Sequence, residues 1–347
     1  MTDPRRPHLV AAPDKFRGTA SAADVAAAAG RAARAAGWTA DEVPMADGGE
    51  GTLEVVGGAV HETVVTGPLG RPVAAEWRLL PATGAEGRPT AVIEMARAAG
   101  RALVPAPAAD DPVRASTVGV GELVLAAVQA GAGRVVVGVG GSATTDGGWG
   151  AVEAIGSPDR LAGVDLLVAA DVATPFRLAA RRFGPQKGAT AAQVRQLEHR
   201  LDRLAATYRD RFGVDVDRID GAGAAGGLAG GLAALGASVV PGFDLLADVV
   251  GLDRRLDGAD LVVTGEGRLD RSSFDGKVVG GVVRRVAGRV PVLCVVGEAA
   301  PTADPAASGT GPTFQLVVLA DRVGPDRART EAVALVEDVV ADCLGRG

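Results

Sequence analysis

Residues 260–281 read DLVVTGEGRLDRSSFDGKVVGG, and this stretch decides the fold class. Leu261, Val262 and Val263 form a short apolar run of the kind that fills a strand buried on both faces. Thr264-Gly265-Glu266-Gly267 then breaks the run, because glycine permits positive φ and close backbone approach. Asp270, Asp275 and Lys277 follow, and the apolar residues of Val278–Val286 open a helix. The reading is a buried strand, a glycine turn carrying acids, and a Gly-Lys pair at a helix head. In an open α/β sheet, ligands bind beyond the carboxyl ends of strands, and helix N-termini favour anions. Gly265 and Gly267 equally suit a purely structural turn with surface charges around it.

The same pattern recurs along the chain. His8–Ala12 is a short strand, followed by a loop with Asp14, Lys15 and Arg17. Ser21 caps an Ala-rich helix that Gly37 stops. Asp41–Met45 is a second strand, and the loop Ala46–Thr52 after it places Asp47 and Glu50 among three glycines. Arg134–Val139 is a β-branched strand running into Gly140, Gly141, Ser142, Thr144 and Asp146. Hydroxyls and backbone amides in such a turn cradle an anion, and a carboxylate there holds a cation. Phe183–Ala189 is a turn presenting Lys187, and Thr190 caps a helix running to about Tyr208. Between these, His61–Thr66, Pro72–Leu80 and Thr90–Met95 read as consecutive strands, with a hairpin loop at Gly84–Pro89. Gly221–Gly226 matches GxGxxG, but the residues before it alternate apolar with charged and do not form a buried parallel strand. Its small residues instead let a helix pack closely or approach a ligand.

The expected fold is therefore α/β with two α/β domains. One is Rossmann-like with a parallel sheet, discontinuous over 1–61 and 240–347. The other is a mixed-sheet α/β domain inserted at 62–239, with the active site in the cleft between them.

Composition narrows the function. The chain has 347 residues, is 47% hydrophobic and carries a net charge of −6. It has a globular core and no basic footprint for nucleic acid. Cys294 and Cys343 make no disulfide framework, and three His leave little material for a zinc site or a Ser-His-Asp hydrolase. With no run of eighteen apolar residues, no membrane span is expected, and the expected location is cytoplasmic. Gly276-Lys277 is not a Walker A motif, since Val278 follows and no glycine lies five residues before Gly276.

Six stretches together carry a resemblance: APDKFRGTASA (12–22), MADGGEGT (45–52), VGVGGSATTDGG (137–148), FGPQKGAT (183–190), GAGAAGGL (221–228) and TGEGRLD to GK (264–277). In this order and register they resemble the glycerate kinase type I family. The resemblance implies a two-domain α/β kinase using ATP and Mg²⁺ to phosphorylate D-glycerate, with the 2-hydroxyl generally assigned and 2-phosphoglycerate as product. It departs from the family pattern at several loops. Thr145 stands where SATNDGG has Asn, Ser272 replaces the Gln after TGEGxxD, and Val118–Leu123 reads VGVGEL for YGTGEL. Ser157–Gly163 replaces a longer stretch after Gly156, and Asp171–Phe176 stands for DVxNPL. A paralogue acting on another small hydroxy acid, or a non-catalytic nucleotide-binding regulator, is the alternative. An NAD-dependent oxidoreductase using Gly221–Gly226 ranks last.

Phosphoryl transfer needs a phosphate cradle, a cation and an oriented hydroxyl. Gly140, Gly141, Gly265, Glu266 and Lys277 are assigned to the nucleotide. Ser142, Thr144 and Lys187 are assigned to substrate, with Arg17 clamping its carboxylate through the planar guanidinium. Asp47, Glu50 and Asp146 are the expected Mg²⁺ ligands. Asp270 is the expected general base, Asp14 the second choice, and Lys15 neutralises transferring phosphate. The partners are small molecules, and a homo-oligomer is compatible with the sequence.

Overall fold

The computed structural model describes residues 5–82, 87–104, 112–301, 303 and 313–345. The hairpin loop expected at Gly84–Pro89 and the loop at Pro301–Pro312 fall largely outside the described residues. The chain divides into two compact units, Met1–Asp47 with Phe243–Gly347, and Gly48–Gly242.

The first unit holds a five-stranded sheet of β1 (His8–Ala11), β2 (Thr39–Glu42), β9 (Leu261–Leu269), β10 (Val292–Ala299) and β11 (Phe314–Val318). The spatial order is β11-β10-β9-β1-β2, and every pairing is parallel. Leu9 and Ala11 join Leu261 and Val263 on one face of the sheet, packed with Val25, Ala29, Val336 and Val340. Val10 and Val262 join the opposite face, packed with Phe243, Val278 and Val282. Both faces are covered by helices, which is why the strands read as unbroken apolar runs. Ser21 and Asp24 form a reciprocal capping box at the helix Ala22–Ala35. Gly37, at φ +81°, stands in the left-handed conformation just past its end.

The expected break at Thr264–Gly267 is absent, because β9 continues through it to Leu269. The glycines answer to neighbouring backbone instead. A Cβ on Gly265 would lie 1.8 Å from the Val295 carbonyl oxygen, and one on Gly267 3.1 Å from the Phe16 Cα. The sequence signal for a turn and for close strand contact is the same residue, and here the contact wins. The strand expected at Asp41–Met45 lies slightly earlier, at Thr39–Glu42. The helix expected after Gly276-Lys277 is present as Val278–Val286, with Lys277 at its N-cap.

The second unit holds β3 (Ala59–Thr66), β4 (Pro72–Leu80), β5 (Thr90–Glu94), β6 (Arg134–Gly138), β7 (Asp165–Ala169) and β8 (Ser238–Val240). They lie in chain order, antiparallel from β3 to β5 and parallel from β5 to β8. The sheet is thus mixed, and its core gathers Trp77, Ile93, Leu123, Val137, Phe176, Tyr208 and Leu228. This unit begins at Gly48, ahead of the expected residue 62, and ends at Gly242. Glu94, at the end of β5 and 3% exposed, accepts from the backbone N–H of Gly51 and of Leu53. That carboxylate ties the start of the Thr52–Val56 helix to the second sheet.

Candidate active site

Asp14 follows β1 and donates its backbone N–H to the Gly265 carbonyl at 2.8 Å, extending the β1–β9 pairing beyond the strand end. Its Oδ1 accepts from the Lys15 backbone N–H at 2.7 Å and lies 3.8 Å from the Lys15 ammonium. Burial raises the Asp14 carboxyl to about 6, against the lowering effect of the Lys15 charge. The Asp47 charge pushes in the same direction as burial, which places Asp47 within electrostatic reach.

Glu266 sits on β9. Burial lifts its carboxyl to about 7, a hydrogen bond with Ser273 opposes the rise, and the Asp14 charge adds to it. Its Oε1 is buried without a hydrogen-bond partner among the described residues. Two carboxyls are raised by burial, Asp14 just after β1 and beside a lysine, Glu266 within β9, and such shifts are typical of functional groups.

Asp270 is differently placed from the expected general base. Its Oδ1 accepts from the Ser272 backbone N–H at 2.7 Å and from the Ser272 hydroxyl at 2.6 Å, capping the turn Arg271–Phe274. Those bonds from Ser272 hold the carboxyl below its ordinary range. Lys277 Nζ donates to the same Ser272 hydroxyl at 2.9 Å. An acid stabilised in its charged form is a weaker proton acceptor than one that burial has raised, as it has Asp14. Arg17 is exposed on the loop after Asp14.

In the second unit, the loop after β6 is shaped by its neighbours. A Cβ on Gly140 would lie 2.5 Å from the Gly49 Cα, and the expected Glu50 loop therefore packs directly against the glycines. Gly141 adopts φ +69°. Lys187 is 4% exposed, and its Nζ donates to the Thr144 carbonyl at 2.5 Å. Burial lowers the ammonium to about 7; the Asp146 charge works against that fall and the Arg101 charge with it. The Thr144 and Thr145 hydroxyls are buried without partners among the described residues.

Asp146, an expected Mg²⁺ ligand, is held by donors from two neighbouring segments. Its carboxylate accepts from the Thr117 backbone N–H and hydroxyl at 2.8 Å each and from the backbone N–H of Gly148 at 3.1 Å. The Gly150 N–H at 3.3 Å and the Ser116 hydroxyl at 3.4 Å add to these. Four of these five donors meet Oδ2 and the Gly148 N–H alone meets Oδ1, so the carboxylate anchors the starts of two helices through Oδ2 and keeps acceptor capacity at Oδ1. Asp146→Ala strands several buried donors, and a loss of at least about 3 kcal/mol in urea unfolding is expected. A variant as stable as the wild type would disprove that anchoring role. Among the described residues no cluster of three or more acidic, His or Cys side chains is arranged for a metal. Mg²⁺ keeps several waters and is held by one or two carboxylates together with substrate phosphates. Asp47, half-buried in the first unit, and Glu50, exposed in the second, each fit that partial role as a single hard oxygen ligand.

GAGAAGGL proves to be a packing device. Ala225, Gly226 and Gly227 all take positive φ. A Cβ on Gly226 would lie 2.1 Å from the Thr144 carbonyl oxygen, and one on Gly227 2.7 Å from the Gly147 Cα. The segment backs the loop after β6, as close helix packing requires. Two residues that sequence reasoning passed over are Glu94 and Arg101. The signal for Glu94 was an acid ending an otherwise apolar strand, T-A-V-I-E.

Desolvated acids, lysines and glycine loops near strand ends are groups that phosphoryl transfer uses. The glycerate kinase family model matches residues 9–160 and 156–344. The chain is 38% identical to glycerate 2-kinase of Escherichia coli (strain K12), over 84% of this chain and 85% of the relative. It is also 38% identical to glycerate kinase of Bacillus subtilis (strain 168), with the same two coverages. A crystal structure of a chain assigned as glycerate kinase 2 from Salmonella typhimurium LT2 superposes with a TM-score of 0.79. That pair is 32% identical and covers 97% of this chain and 98% of the other. This chain belongs to the glycerate kinase family.

Proposed function

We propose that the chain transfers the γ-phosphoryl group of Mg-ATP to a hydroxyl of D-glycerate, giving 2-phosphoglycerate. The observation that carries the reading is Asp14, a buried carboxyl raised to about 6 beside Lys15 at the end of a parallel strand. A base of that strength is charged at neutral pH yet still takes a proton from the attacking hydroxyl as the new O–P bond forms. The proton passes to Asp14, and ADP departs with the electrons of the broken bond. Lys15 and Lys277 neutralise phosphate oxygens, and Glu266 on the neighbouring strand β9 serves the nucleotide. In the second unit Ser142, Thr144 and Lys187 bind the acid. Mg²⁺ supplies charge neutralisation on the phosphates when bound, with Asp47 or Glu50 as its protein carboxylate. No helix of the described residues is long and apolar enough to cross a membrane, in keeping with a small-molecule kinase.

The test is coupled ADP release with Mg-ATP and D-glycerate, with L-glycerate, glycerol and other hydroxy acids alongside, and phosphorus NMR of the product. Turnover of D-glycerate with a phosphorus signal on the 2-oxygen is expected. Turnover of a different acid alone would shift the substrate, and ATP binding without turnover would leave a regulator.

A further inference from the structure

Arg101 has no part in the reading above, yet it is built into the loop after β6 at both ends. Its backbone N–H donates to the Gly141 carbonyl at 2.9 Å, Gly100 bridges Ser142, and the Ala143 N–H donates to the Ala99 carbonyl at 2.9 Å. Residues 99–101 and 141–143 are thereby stapled as a short antiparallel pair. At its other end, the Arg101 guanidinium donates one N–H to the Gln186 carbonyl at 2.6 Å, one residue before Lys187. This contact spans the loop and the turn that carries the buried lysine.

Two groups here make little or no use of their donors among the described residues. Lys187 makes one hydrogen bond among the described residues, to the Thr144 carbonyl. The Thr144 hydroxyl, in a residue that is 0% exposed, has no partner among the described residues. Asp146 is the acid whose charge acts on Lys187; its Oδ2 takes donors from Ser116, Thr117 and Gly150, and its Oδ1 takes the Gly148 N–H alone. The Arg101 charge acts on Lys187, so two cations, a buried hydroxyl without a partner among the described residues and the Gly141–Ser142 backbone gather around the loop after β6. Held at one N–H, the Arg101 fork still presents donors with the spacing of a carboxylate.

We infer that Arg101 is a substrate-binding residue, which together with Lys187 receives the carboxylate of the hydroxy acid. The inference rests on the reading of the chain as a hydroxy-acid kinase, and it moves the carboxylate from Arg17 to the second unit. The substrate class is then small acids bearing a carboxylate beside the reacting hydroxyl, while uncharged polyols gain nothing from Arg101.

Steady-state kinetics of Arg101→Ala, Arg101→Lys and Arg17→Ala test it, with circular dichroism and melting to show each variant folded. Arg101→Ala is expected to raise KM for D-glycerate about 10- to 100-fold, with kcat and KM for ATP within about 2-fold. Arg101→Lys, which keeps the charge and loses the fork, falls between. Any residual turnover of glycerol stays unchanged. An unchanged KM for D-glycerate in Arg101→Ala, or a rise confined to Arg17→Ala, overturns the inference while leaving the kinase reading intact. If the wild type turns over no hydroxy acid, the kinase reading fails by itself, and calorimetry with D-glycerate alone decides Arg101. Heat of binding seen with the wild type and lost in Arg101→Ala supports it, and equal heat in both, or none in either, defeats it.

Discussion

Asp14→Asn is expected to lower kcat by about 10²- to 10⁴-fold, the range for loss of a positioned general base, while ATP still binds. The argument is electrostatic. The carboxyl is desolvated at a strand end, and burial raises it to about 6 even though Lys15 sits 3.8 Å away. A pKa near the working pH gives both a charged base and a useful driving force for accepting the proton. The base works when deprotonated, so wild-type kcat/KM falls as pH drops below about 6, and Asp14→Asn loses that acid limb. Asn keeps the Oδ1 that accepts the Lys15 backbone N–H, so the loop remains held and a change in turnover reports chemistry. Asp270→Asn is the comparison, with a smaller loss expected because the Ser272 bonds already satisfy that carboxylate. If Asp270→Asn falls as far as Asp14→Asn and flattens the acid limb, Asp270 is the base.

The contrast between these two acids shows what the sequence holds. Local signals were legible. The Ser21 and Thr190 caps appear where the residues place them, and the strands follow the expected order, with β2 slightly early and β9 longer than expected. A cap needs only residues three apart, so a linear reading finds it. The chemistry of each acid was less legible, because it depends on donors brought in from far along the chain. Asp146 reads as a lone acid among glycines until Ser116 and Thr117, about thirty positions earlier, donate to its Oδ2. Glu94 reads as the end of a strand until Gly51 and Leu53 donate to it across more than forty positions. Gly265 misled for a related reason. Glycine marks any place where a side chain cannot fit, and only the Val295 carbonyl of a neighbouring strand shows that the constraint lies across the sheet.

Lys187→Met is expected to be inactive and yet more stable than the wild type at neutral and acid pH. In the folded chain burial lowers the ammonium from 10.5 to about 7. The unfolded chain therefore binds more protons between those two values, and stability rises with pH across that window. The penalty of burying the charge is present in full below about pH 7 and gone above about 10.5. At about 1.4 kcal/mol per unit it amounts to about 5 kcal/mol. Methionine fills a similar volume without a charge, but leaves the Thr144 carbonyl without its donor, which costs about 1–3 kcal/mol. The net gain is about 2–4 kcal/mol at pH 6.5, read as a higher urea midpoint, and it shrinks toward pH 10. Turnover of D-glycerate below saturation falls about 10²- to 10³-fold, the order of loss when one partner of a buried charge pair with the substrate carboxylate is removed. A wild type as stable as Lys187→Met at pH 6.5 would show that the lysine is neutral or solvated in the folded chain. A stabilised variant with full activity would show that the buried charge serves no ligand. A gain in stability with a loss of turnover is the signature of a group whose burial is retained for function at the expense of the fold.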